Sequence, residues 1–233
     1  MTPIQDGQKS RSGATQKSLM LAAETLIAAK GIENVSIREI VKTAGQKNES
    51  ALQYHFGSFR GLVESIRRNR DKDIQNMRSK LLEELLKKNR NPALRDLCCL
   101  LASPSFILAK KDLGFRRYVI GFSHELALTN KSAFTLASQA GGGGQSGQKT
   151  EKLLRASLQH LTDASYRRRM ESVVRLTAIS LGHHARQKNA FRGTFAELFF
   201  NNLIDEIAGL LTTPASPETR SIEDAMNPKN AQK

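Results

Sequence analysis

The sequence predicts an all-α fold, on three observations. Apolar residues recur with helical spacing through most of the chain, no segment alternates apolar and polar residues as a half-buried strand does, and glycine- or proline-rich stretches interrupt the pattern where helices would end. With 233 residues, 39% hydrophobic and 25% charged, the chain is long enough for a real core and too ordinary in composition for wholesale disorder.

Residues 1–15 hold one large aliphatic residue, Ile4, among Gly7, Ser10, Ser12 and Gly13, and read as a flexible tail. Leu19, Ala22, Ala23, Leu26 and Ile27 then form one helical stripe that Gly31 stops. Ser36 and Glu39 have capping-box spacing, with Val35 and Ile40 at the two positions of a hydrophobic staple. Such a cap is worth about 1 kcal/mol. Ile37, Ile40, Val41 and Ala44 share a face, and Gly45 ends this short helix; another short helix is expected over 48–56. Leu62, Val63, Ile66, Ile74, Met77, Leu81, Leu82, Leu85 and Leu86 continue the period as one long helix or two. Further helices are expected at 92–108, 113–129, 150–162, 164–188 and 193–211. Five glycines in 138–148 predict a flexible loop, and three prolines among polar residues make 213–233 a second flexible tail.

Charge narrows the function. Thirty-six basic against 22 acidic residues give a net charge of +14 and a pI near 10.1, which points to a polyanionic partner. The excess is spread, with 11 basic against 6 acidic residues up to position 70 and 25 against 16 beyond it. No apolar run is long enough to span a bilayer, and the polar N-terminus lacks the apolar middle of a signal peptide, so the expected location is cytoplasmic, with no membrane partner. Adjacent Cys98 and Cys99 fit buried thiols in a reducing compartment better than a strained bridge. His183 and His184 point about 100° apart on a helix and cannot chelate one metal from one face. No phosphate loop, zinc signature or hydrolase elbow is present, and no cofactor or metal is expected.

The chemistry gathers around Gly45. A capped short helix, a tight turn and a second short helix form the helix-turn-helix plan, whose second helix enters the DNA major groove. Lys47, Asn48, Ser50, Gln53, Tyr54 and His55 make a polar face, whereas Ala51, Leu52 and Phe56 can pack inward. Leu26 to Gly31, Val35-Ser36-Ile37-Arg38-Glu39-Ile40, Ala44-Gly45 and above all Leu52-Gln53-Tyr54-His55-Phe56-Gly57-Ser58 resemble the DNA-binding domain of TetR-family transcriptional regulators, over about residues 17–66. The resemblance implies a three-helix DNA-binding domain at 16–60 and a larger helical domain at 61–212 that dimerises and often binds a small effector. It also implies a sequence-specific regulator, in this family most often a repressor, that holds a palindromic double-stranded operator as a homodimer.

On the resemblance, Tyr54 and His55 match positions that lie at the DNA backbone, and Arg38 and Ser36 would stand near phosphate at the start of the second helix. Gln53, Ser50, Asn48 and Lys47 are base-edge candidates by their hydrogen-bonding types. Two features depart from the family pattern. The stretch from Ala44-Gly45 to Leu52 is one residue longer, which leaves the register of 46–50 open. Phe59 also stands where a phosphate-reaching lysine is usual, with Arg60 beside it as the candidate replacement.

In the larger domain, Phe106, Phe115, Tyr118 and Phe122 are candidates for a pocket that would take a small hydrophobic effector. The bland reading of its phenylalanines is core and interface. The resemblance implies that the last two long helices pair in the dimer, and Phe195, Leu198, Phe199, Asn202 and Leu203 have spacing that suits the seam. Two competing classes are a non-specific nucleic-acid-binding helical protein, favoured by the spread of charge, and an all-α enzyme using His124 and Glu125. No nucleophile or second carboxylate at a telling spacing supports catalysis, so the expectation is no enzyme activity.

Overall fold

The structure, a computed structural model, describes residues 4–133 and 143–226. These residues form ten α-helices and one 3₁₀ turn, with no strand among them. In chain order they are α1 (Ile4–Lys30), the 3₁₀ turn Ile32–Asn34, α2 (Ile37–Thr43), α3 (Ser50–Phe56), α4 (Phe59–Lys88), α5 (Leu94–Lys111), α6 (Leu113–Leu128), α7 (Gly144–Ser157), α8 (Asp163–Ala185), α9 (Gly193–Thr212) and α10 (Pro217–Ala225). None of them is long and apolar enough to cross a membrane.

The head packs α1, α2 and α3 against the start of α4. Leu19, Ala23 and Ile27 from α1 meet Ile40 and Val41 from α2, Leu52 from α3, and Leu62, Val63 and Ile66 from α4, all buried. The capping box forms as its spacing predicts: the Glu39 N–H donates to Ser36 Oγ at 3.3 Å and the Ser36 N–H to Glu39 Oε2 at 3.0 Å. The far end of α2 closes in a Schellman motif, with Gln46 N–H to Val41 O at 2.9 Å and Gly45 N–H to Lys42 O at 3.1 Å. Gly45 takes φ +69°, the left-handed conformation that this closure needs.

The candidate long helix is one helix. At 30 residues α4 extends about 45 Å, its N-terminal turns in the head core and Leu82 in the body core. The body core gathers Leu97, Leu100, Leu154, Leu158, Met170, Val173, Leu203, Ile204 and Ile207 from α5, α7, α8 and α9. Between head and body lies α6, packed on α1 along one side and on α8 along the other.

Several boundaries differ from the sequence expectation. The segment expected as a tail over 1–15 is helical from Ile4, because extending an existing helix fixes one residue per bond gained and needs no new nucleus. In 138–148, residues 144–148 form the first turns of α7, held by Ser146 Oγ donating to Gln75 O at 3.1 Å and Thr150 Oγ1 to Ser146 O at 2.8 Å. The rest of that expected loop, apart from Gly143, lies outside the described residues. The expected tail 213–233 contains α10, started by Ser216 as N-cap and Pro217 at the first turn; 227–233 lie outside the described residues. The third helix starts at Ser50 rather than near 48.

Candidate nucleic-acid interface and effector cavity

The turn after α2 settles the register that the extra residue left open. Gly45 to Glu49 form the connection, so Gln46, Lys47 and Asn48 sit on the turn, and Ser50, Gln53, Tyr54 and His55 on α3. Ser18 Oγ on α1 donates to Ala44 O at 2.9 Å and pins this turn to the head. Leu52 is fully buried and Phe56 half-buried, which turns the opposite face of α3 outward. Arg38, Lys47, Asn48, Ser50, Gln53, Tyr54 and Arg60 are all exposed, and His55 is half-buried. Tyr54 is 83% exposed, with its ring edge-on to His55 at 5.0 Å. A large aromatic left this open on a helix whose other face is core is available to a partner.

Some of these groups already have partners. Ser36 donates its hydroxyl to Glu39 at 2.9 Å, so its side chain serves the cap. Ser50 donates to Asn48 Oδ1, and Arg60 pairs with Glu64 at 2.9 Å on an exposed turn of α4. Phe59 packs against the head core instead of facing outward as a lysine would. Lys30 reaches Glu39, and with two hydrogen bonds from Ser36 it holds the Glu39 carboxyl down at about 2.

Where head meets body, half-buried arginines of α4 are paired. Arg70 donates to both oxygens of Glu24, at 2.7 and 2.8 Å, and to Asp112 at 3.1 Å. Burial opposes its charge, but the Glu24 and Asp112 carboxylates outweigh it and hold the Arg70 proton above the ordinary arginine range. Arg67 pairs with Glu125 across 58 residues and lies over the Phe122 ring at 5.3 Å. That pairing removes Glu125 as a partner for His124, which is exposed.

A cavity of about 340 Å³ opens between α4, α5, α6 and α8. Of the four aromatic candidates, Tyr118 and Phe122 line it. Phe115 is instead fully buried under Arg70, and Phe106 packs on Phe191 and Phe200 at 5.3 and 4.8 Å. Periodicity places residues on a face but does not say which neighbour covers that face. Two of the charged groups on the wall, Asp71 and Arg78, had no local signal; they meet the cavity because α4 runs along it. Burial pushes the Tyr118 phenol up to about 12.

The expected seam also divides. Phe195 and Leu198 are 50% and 62% exposed on α9, and Asn202 is exposed beside them. Leu203 is buried in the body core, and Phe199 turns inward to stack on His184 at 3.7 Å, because each lies one residue, about 100°, round from the outward row. Ile179 of α8 is a further exposed apolar side chain. Among the described residues no cluster of His, Cys, Asp or Glu could hold a metal ion. Burial pushes Cys98 up to about 12 and also raises Cys99, so both stay thiols.

The family profile of bacterial regulatory proteins of the tetR family matches residues 19–66, from the stripe of α1 to the head end of α4. No curated protein matches the chain.

Proposed function

From the premise that the head of this chain is a DNA-binding helix-turn-helix domain of the tetR family, we propose a repressor that binds a palindromic operator as a homodimer and is released by a small effector. The observation that carries the reading is the head surface around Gly45: a pinned turn and a short helix, buried through Leu52 and open through Gln53 and Tyr54. In this reading α3 enters the major groove with Gln53 and Ser50 at base edges. Tyr54, His55 and Arg38 meet phosphates, Lys47 and Asn48 reach from the turn, and Arg60 reaches from α4.

The outward row Phe195, Leu198 and Asn202, with Ile179 of the neighbouring helix, supports a four-helix dimer contact. Two heads held this way would read half-sites whose centres lie roughly 34 to 36 Å apart, or a multiple of that. The cavity supports an effector because its walls include α4, which belongs to both cores, and α6, which touches the head. A Cβ on Gly121 of α6 would lie 2.7 Å from Ile27 of α1, and one on Gly182 of α8 would lie 1.9 Å from Ser123 of α6. Packing this close leaves no slack between α8, α6 and α1, so a shift of α6 moves the head. The effector's leverage is its difference in affinity for the two head spacings.

The test is selection of genomic DNA fragments by the purified protein at about physiological salt with excess competitor DNA. The expected result is an enriched palindrome, bound roughly 10³-fold or more above random sequence. Tyr54→Ala with His55→Ala should abolish that binding and leave the dimer intact. Enrichment of no sequence by a folded protein would favour the non-specific reading, which the positive charge carried by the body supports.

A further inference from the structure

The helix α4 sends three arginines into the interior, and they differ in what they meet. Arg67 is neutralised by Glu125, and Arg70 by Glu24 and Asp112. Arg78 lines the cavity, and its hydrogen bond is to a neutral group, the Gly143 carbonyl, at 3.3 Å. No carboxylate of the described residues forms an ion pair with it, and 134–142 contain neither Asp nor Glu to supply one. A guanidinium keeps its proton in any protein environment, so its burial must be offset by a partner or by retained water. Asp71, the other charged group of this wall outside the Arg67 pair, sits two turns away on α4, about 10 Å along the axis, and accepts from the Gln75 amide. The remaining surface is largely apolar, with Ile74, Phe122 and Leu181 among its side chains. The wall of an apolar cavity therefore carries a guanidinium with no ion-pair partner, on which Asp71 acts through space without touching it.

We propose that this cavity takes a small apolar molecule with one anionic head, a carboxylate in its simplest form, seated on the Arg78 guanidinium. The assignment rests on reading the cavity as the effector site. The guanidinium fork and a carboxylate match in geometry, and two parallel charge-assisted bonds would replace solvent at Arg78. The apolar body would lie against Ile74, Phe122 and Leu181. Burial pushes the Arg78 guanidinium down, and the charge of Asp71 offsets this only in part.

Three ten-carbon probes separate the alternatives by calorimetric titration of the full-length protein: decanoate, 1-decanol and decylammonium. Decanoate is expected to bind at least about tenfold more tightly than the other two, the size of effect a hydrogen-bonded charge supplies. Arg78→Met should erase that preference while leaving decanol affinity unchanged, and Arg78→Lys should keep the preference in reduced form. Equal affinities for the three probes, binding of none of them, or an unchanged preference in a folded Arg78→Met protein would overturn the assignment. Operator occupancy is followed separately. Arg78-dependent decanoate binding that leaves the operator occupied would keep the anion site and defeat the effector reading. Release by decanol as readily as by decanoate would keep the effector reading and defeat the anion site.

Discussion

At the scale of single residues, Glu39 shows how much of the head's geometry one carboxylate can hold. It closes the α2 cap through Ser36 and ties α2 to the end of α1 through Lys30. Its folded carboxyl sits at about 2, below its ordinary 4.5. Between those values the unfolded chain binds more protons, so the stabilisation is complete above about 4.5 and is lost as pH falls toward 2. Thermal melts of the wild type and Glu39→Gln should therefore differ most near neutral pH and converge by about pH 2. A difference that stayed constant with pH would remove the carboxylate from this role. The cap was legible in the sequence because both partners lie within four residues. The Lys30 contact was not, since it depends on how α1 turns into α2.

At the scale of elements, α3 is positioned by its two ends. Behind it, the Schellman closure at Gly45 sets the turn; ahead of it, α4 begins so close to α3 that a Cβ on Gly61 would sit 2.0 Å from the Phe56 carbonyl oxygen. Gly61→Ala should thus push α3 and α4 apart and cost about 1–3 kcal/mol, in the manner of an overpacked core. Urea unfolding would measure this, and operator affinity should fall with it; an unchanged midpoint would mean that the helices separate freely. Capped or glycine-stopped helices were legible in the sequence, as α2 shows. The early turns of α7 were not, because glycines that argue against a helix are overruled there by Ser146 and Thr150 bonding into α4 and within α7.

At the scale of the whole molecule, the outward row of α9 is where two copies would meet. Leu198→Glu adds a charge at a side chain 62% exposed in the single chain, so it should leave the fold intact. It should still yield monomers by light scattering and lower operator affinity at least about tenfold, because a charge buried in an apolar seam is costly. A stable dimer in that variant would move the interface elsewhere. The sequence by itself determined the helical class, the head and its exposed polar face, because period, caps and turn glycines act over a few residues. Tertiary structure decided the inward turn of Phe199 and Leu203, the burial of Phe115, the Glu24–Arg70 link and the place of Arg78 against the Gly143 carbonyl. Each depends on which distant helix lies opposite, and local spacing carries no record of that.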